Sequence, residues 1–211
     1  LNPALVARAF LFFSYPSQMS GDTVWIAEQG DAISGATPLG EMLAGGVTPH
    51  ASVLDMFLGF IPGSVGETSV IAILIGAVIL LVTGIASWRI MLSIFAGGAA
   101  MGLVFNMIGA NPYMEMPFYY HFLIGGFMFG AVFMATDPVT AAQTNTGKYI
   151  YGALIGIMAV LIRVLNPAYP EGMMLSILLL NVFAPLIDYY VVDANIRRRA
   201  KRAKLLVKNN Q

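Results

Sequence analysis

Three acidic residues in or beside apolar runs, Asp137, Asp188 and Asp193, raise the first chemical question, because a carboxylate inside a lipid-embedded helix is costly and is a functional candidate by default. Phe129, Phe133 and Asp137 recur every four residues. On a continuous helix they share one face, two aromatic rings stacked outward of one carboxylate. Such a face would form a hydrophobic constriction above a cation site. The simpler alternative is core packing for both rings, with Asp137 closing the helix before Pro138 in Met134-Ala-Thr-Asp-Pro-Val139. Further on, Pro185 lacks an N–H and crowds the carbonyl of Asn181, which frees a backbone oxygen ahead of Asp188. A carbonyl, an amide and a carboxylate close together would suit Na+, a hard cation. The same parts equally make a kink followed by an interfacial acid. Asp193 lies against the basic tail and reads as a surface ion pair.

A different chemistry is open to the hydroxyl that ends Asp31-Ala-Ile-Ser-Gly-Ala-Thr37. Ser34, Gly35 and Ala36 have so little bulk that another enzyme's active site could close over Thr37, which makes phosphorus chemistry at its oxygen sterically feasible. Judged on composition, a plain turn before Pro38 is the simpler reading. Metal chemistry has little support. The chain has no cysteine, which excludes disulfides, cysteine-ligated zinc and protein-held iron–sulfur clusters within it, and His50 and His121 do not sit at ligand spacing.

The elements that must position these groups are membrane helices. Of 211 residues, 58% are hydrophobic and 10% charged, against roughly 25% charged in soluble domains, and the mean hydropathy is +0.76. Glycine and methionine spread through the apolar runs point to packed helices. About 20 apolar residues are needed for a span, and five windows qualify: roughly 68–87, 90–110, 117–136, 148–165 and 172–192. The apolar stretch that begins at Leu1 is too short to span unaided, so 1–14 reads as the end of a truncated helix. The run Ala51-Ser-Val-Leu-Asp-Met-Phe-Leu-Gly-Phe-Ile-Pro62 has the length of a half-buried or re-entrant helix. After it, Pro62-Gly-Ser-Val-Gly-Glu-Thr68 is either a Gly-rich turn lining a cavity or a cap for the next helix, for which Glu67 and Thr68 are suitable. The fold class expected is all-α: a polytopic membrane protein of about five spans plus a re-entrant half-helix.

Charge sets the expected orientation. Between Ser14 and Ser87 there is no Lys or Arg, whereas Arg197–Lys204 carries six in eight residues. By the positive-inside rule the tail, 194–211, is cytoplasmic, the five-helix region is 68–193, and the segment 15–67 lies outside. Arg163 falls near an outer end and breaks the rule; the other ten basic residues obey it if Arg8 enters from the cytoplasm. The basic tail suits anionic headgroups. Eight acids fall on the outer side (Asp22, Glu28, Asp31, Glu41, Asp55, Glu67, Glu115 and Glu171), either a field that concentrates cations or simply what the rule leaves there.

Asp31-Ala-Ile-Ser-Gly-Ala-Thr37 also resembles the pattern that marks covalent flavinylation, in which a flavin transferase joins the phosphate of FMN to the final threonine. Together with Tyr15-Pro-Ser-Gln-Met-Ser-Gly-Asp-Thr-Val-Trp25, Pro62-Gly-Ser-Val-Gly-Glu-Thr-Ser69, Ala135-Thr-Asp-Pro-Val-Thr-Ala-Ala-Gln-Thr-Asn-Thr-Gly-Lys148 and Asn166-Pro-Ala-Tyr-Pro-Glu-Gly172, it makes nearly the whole chain similar to the C-terminal half of the B subunits of Na+-translocating NADH:quinone oxidoreductases. The resemblance implies a subunit of a respiratory translocase in a bacterial inner membrane, working with the other subunits of the complex and with ubiquinone as acceptor. It implies FMN on Thr37 within the motif Asp31, Ser34, Gly35 and Ala36, riboflavin shared with the complex, and Na+ as the transported ion. It places the Na+ pathway at Asp137 and Asp188, with the aromatic constriction at Phe129 and Phe133. It also implies one half of a urea-transporter-like fold with inverted repeats. No catalytic residue, resident metal or nucleic-acid partner is expected. The related ferredoxin:NAD+ oxidoreductase subunit shares the flavinylated threonine, and a urea-transporter-like channel without redox role is the alternative from another class.

Overall fold

The computed structural model of the chain describes residues 1–15, 37–38, 52–64, 66, 68–166 and 172–209. Its described elements are all helical: α1 (Pro3–Ser14), α2 (Val53–Leu58), α3 (Val70–Val82), α4 (Trp88–Ile108), three short helices α5 (Pro112–Glu115), α6 (Tyr120–Leu123) and α7 (Phe127–Phe129), a π-helical turn Gly130–Met134, then α8 (Asn145–Leu165) and α9 (Met173–Asn209).

Three of these, α4, α8 and α9, are long and apolar enough to cross a membrane. The expected span at 68–87 forms a shorter helix. Ser69, the residue after Thr68, caps its start by accepting the Ala72 N–H, and it closes where the Thr83 hydroxyl donates back to the carbonyls of Ile79 and Leu80; Glu67 lies outside the described residues. The expected span at 117–136 is not one helix. Gly125 takes φ +68°, a left-handed conformation natural to glycine, and separates α6 from α7. The run at 51–62 does form a short helix, α2, with Ser52 accepting the Asp55 N–H and Gly59 ending it at φ +103°. Gly59 is required twice over, since a Cβ there would also fall 2.8 Å from the Cβ of Ser69 at the start of α3.

α9 does not stop at the membrane edge. Its 37 residues at about 1.5 Å each make a rod of about 55 Å, well beyond a hydrocarbon core of roughly 30 Å. The basic tail is therefore its continuation, and Asp193 pairs with Arg197 at 2.8 Å one turn on. Pro185 is accommodated inside this helix.

The core is organised by α8, which packs against α4 and α9. Gly97 on α4 meets the Ala153 carbonyl, Gly156 on α8 meets the Ile94 carbonyl, and Gly152 meets the Ser93 hydroxyl; a Cβ at any of the three would overlap its neighbour. The helices thus touch backbone to backbone, which dispersion favours when lipid removes the hydrophobic drive between them. Around the crossing are Ile90, Ile94, Tyr151, Ile155, Ala159 and Val160, all buried. Gly156→Leu should destabilise the protein in detergent by more than the ~1–3 kcal/mol of ordinary overpacking, read as a lower unfolding midpoint, because backbone cannot yield as a side chain can. Ala100→Leu, at an exposed position of α4, should leave the midpoint nearly unchanged. Equal midpoints for the two variants would contradict this packing.

Candidate functional site

Breaking the segment 117–136 creates a local problem, since backbone groups away from water must find partners within the protein. Arg163 solves it there, and Asn106 serves the turn that precedes the segment. Asn106 on α4 donates its amide hydrogens to the carbonyls of Met114 (2.7 Å) and Met116 (2.6 Å). Arg163 on α8, only 1% exposed, forks to the carbonyls of His121 (2.7 Å) and Ile124 (3.0 Å) beside the Gly125 break. This explains the one basic residue that violates the charge rule: it serves the backbone of a broken helix. The violation was itself the signal in the sequence, although nothing there named the partners. His121 is fully buried, and its ring nitrogens have no hydrogen-bond partner among the described residues.

Phe129 and Phe133 do meet, with ring centroids 5.0 Å apart and planes inclined at 47°. Both rings sit against glycines. A Cβ at Gly66 would touch the Phe129 ring at 3.6 Å, and one at Gly76 on α3 would overlap the Phe133 ring. Phe129 also packs on the small cluster Ile73, Ala77, Met91 and Val132. Asp137 does not continue their face. The α-helix gives way at Gly130 to a π turn, in which the Ala135 N–H reaches the Gly130 carbonyl, and Asp137 lies beyond it in an irregular turn. A π turn adds a residue to the repeat, which rotates everything after it off the four-residue register.

That turn is tightly bonded. Asp137 accepts from the Thr140 hydroxyl at 2.6 Å and more weakly from the Val139 N–H at 3.3 Å. The Gln143 amide donates to the carbonyls of Pro138 (2.8 Å) and Ala141 (2.9 Å). Asp188, from α9, reaches the end of the same turn and accepts the N–H groups of Gln143 (2.7 Å) and Thr144 (3.0 Å) and the Thr144 hydroxyl (2.5 Å). Asn181 does not join it there; its amide oxygen accepts the Tyr151 hydroxyl at 2.6 Å in the α8–α9 contact. The carboxylate and the amide that sequence placed together therefore serve different partners. In their place the fold unites Asp137 and Asp188 through a single loop, and the residues that do so, Thr140, Gln143 and Thr144, were not singled out by sequence. Thr144 before Asn145-Thr-Gly147 was legible as a helix cap, but not as a ligand of Asp188.

Thr37 is partly exposed and Pro38 behind it is buried. Its motif partners Asp31, Ser34, Gly35 and Ala36 lie outside the described residues.

Apolar helices of spanning length, a helix broken at glycine and served by buried polar side chains, and two acids gathered on one loop define a polytopic helical membrane protein. The sequence pattern of the family described as NQR2, RnfD, RnfE matches residues 1–197, and the chain belongs to that family. Among its relatives, the B subunit of the Na(+)-translocating NADH-quinone reductase of Chromohalobacter salexigens is 58% identical over 207 residues, covering 96% of this chain and 50% of the relative. The proteins of the same name from Ectopseudomonas mendocina and Azotobacter vinelandii are each 57% identical over 208 residues, covering 96% of this chain and 51% of the relative. The chain thus spans about half the length of the curated relatives it matches.

Arg163→Met should leave the carbonyls of His121 and Ile124 unpaired in an apolar interior, at about 1–3 kcal/mol each. Arg163→Lys should recover part of this, since an ammonium cannot form the planar fork. Thermal unfolding of the protein in detergent should rank wild type above Arg163→Lys above Arg163→Met, and an undisturbed midpoint for Arg163→Met would contradict the backbone role.

Proposed function

We propose that this chain acts within a membrane subunit of a Na+-translocating NADH:quinone oxidoreductase, carries FMN covalently on Thr37, and contributes Asp137 and Asp188 to the Na+ pathway. The observation that carries the reading is the 58% identity across 96% of the chain to a protein of that name, and relatives so named favour it over the ferredoxin-linked branch of the family. The partners that follow are the other subunits of such a complex, ubiquinone as electron acceptor, and a flavin transferase that matures the subunit. Riboflavin is assigned to the complex without a named contact in this chain.

Thr37 fits its proposed use. It is partly exposed, as attack by an external transferase requires, and its threonine oxygen can form a phosphoester with the phosphate of FMN. Bound there, FMN supplies one- and two-electron redox chemistry that no side chain of this chain provides. Asp31, Ser34, Gly35 and Ala36 complete the transferase's recognition motif in this reading.

The orientation proposed is a cytoplasmic tail in a bacterial inner membrane, with Thr37 on the opposite side. Supporting it, Trp88 and Tyr149 stack edge to face at 6.1 Å, Arg89 lies 5.2 Å from the Trp88 ring, and Tyr189 and Tyr190 are exposed nearby in sequence to Asp188. Aromatic and basic residues of this kind anchor at the lipid–water boundary. Asp188 is bonded to Gln143 and Thr144, which lead into α8, so the two acids lie at the tail end of the bundle in this orientation. That is the side from which an exported cation must be drawn. Phe129 and Phe133 form the apolar step on the way, wedged against α3.

The natural subunit, isolated from cells that contain the transferase, should show flavin fluorescence that stays with the polypeptide after denaturation, with the added mass of FMN mapping to the peptide spanning 31–41. Thr37→Leu should abolish both signals. Fluorescence retained by Thr37→Leu would remove the flavin assignment.

A further inference from the structure

We propose that Gln143 and Thr144 are positioning residues that hold Asp188 and Asp137 in one bonded unit, so that the two acids respond to a cation together; this rests on the Na+ reading given above.

Asp188 accepts three bonds, two on Oδ1 from the Thr144 N–H and hydroxyl and one on Oδ2 from the Gln143 N–H. A carboxylate offers about four acceptor sites, so most of its capacity is already committed. Thr144 is also the cap of α8. Its hydroxyl oxygen accepts the Gly147 N–H at 3.1 Å while its proton goes to Asp188. Both functions of the hydroxyl are thereby used, which fixes the rotation of the carboxylate. The positive end of the α8 dipole adds to the attraction. Gly147 leaves the space, because a Cβ there would overlap the Thr144 hydroxyl and Asp188 Oδ1.

Gln143 grips the other acid's turn. Its main chain is bound by Asp188, and its side-chain amide donates to the carbonyls of Pro138, directly after Asp137, and of Ala141 at the far side of the turn. Asp137 closes the same turn through the Thr140 hydroxyl and through its own carbonyl, which accepts the Ala141 N–H at 3.2 Å. A cation drawn to Asp188 competes with the Gln143 and Thr144 hydrogens for the same lone pairs. Occupancy at Asp188 therefore loosens the hold on Gln143, and with it the turn that sets Asp137. The coupling is a contiguous set of hydrogen bonds with two arrangements, bonded to the loop or turned to a cation.

The test uses the natural complex with its full-length subunit. The Na+ concentration for half-maximal stimulation of NADH-dependent quinone reduction is compared across Thr144→Val, Thr144→Ser, Gln143→Ala, Asp188→Asn, Asp137→Asn and the double variant Gln143→Ala/Asp188→Asn, with assembly and flavin content measured in each. A hydrogen bond to a charged group corresponds to a change of roughly ten- to a hundredfold at most, so Thr144→Val is expected to shift the half-saturating Na+ by about three- to thirtyfold with a smaller change in maximal rate. Thr144→Ser should stay within about twofold of wild type, since it keeps the hydroxyl. Gln143→Ala keeps the main-chain bond and the fold, and should shift Na+ dependence in the wild-type background but not in Asp188→Asn. A loop that is only structural lowers the amount of assembled complex and leaves the half-saturating Na+ where it was. If Asp188→Asn shifts Na+ dependence while Thr144→Val and Gln143→Ala do not, or if Gln143→Ala and Asp188→Asn add independently, the positioning role is overturned and the Na+ reading stands. If neither Asp188→Asn nor Asp137→Asn changes Na+ dependence, the Na+ reading fails and this proposal falls with it.

Discussion

Lipid offers no partner to a main-chain N–H or C=O, so every interruption of a helix within the bundle must be repaired by the protein itself. The structure depends on how few side chains perform this repair. Arg163 serves the carbonyls of His121 and Ile124 ahead of Gly125, Asn106 serves two more at the end of α5, and Asp188 serves two N–H groups just before α8. Each reaches across from a long helix to an irregular segment. The long helices α4, α8 and α9 are thereby frame and supplier at once.

This division of labour explains why the broken segments can be both irregular and well placed. The α4–α8 contact is made of backbone against backbone at Gly97, Gly152 and Gly156 and leaves little freedom in their spacing. Side chains projecting from a rigid pair define where loop groups must go. The Asp137–Thr144 turn is then held at its far end by α9 and along its length by its own Gln143 and Thr140. Asp188 accepts the N–H groups of Gln143 and of the cap residue Thr144, so the loop enters α8 tied to α9.

Much of the architecture was legible from the chain alone. Composition called for membrane helices, hydropathy placed α4, α8 and α9, and the apolar run 51–62 had the length of the short helix that forms there. Less legible were the fates of apolar windows that contain glycine. Residues 117–136 are as hydrophobic as a span, but hydropathy averages over the window and cannot weigh one left-handed Gly125 against the helix around it. Likewise a four-residue spacing implies a shared face only while the helix stays α, and the π turn at Gly130–Met134 takes Asp137 out of the Phe129–Phe133 register.

By itself the sequence determined the class of protein, the long helices, the family, and the residues whose charge is costly enough in lipid to require a reason: Asp137, Asp188 and Arg163. These follow from local quantities, namely hydropathy, charge and residue type. Only the tertiary structure decided their partners. That Asp188 meets Gln143 and Thr144, more than forty residues earlier in the chain, and that Arg163 meets the carbonyls of His121 and Ile124, depends on helices crossing at glycines. A hydrogen bond of that kind is set by distance and angle in space, and no periodicity along the chain encodes it.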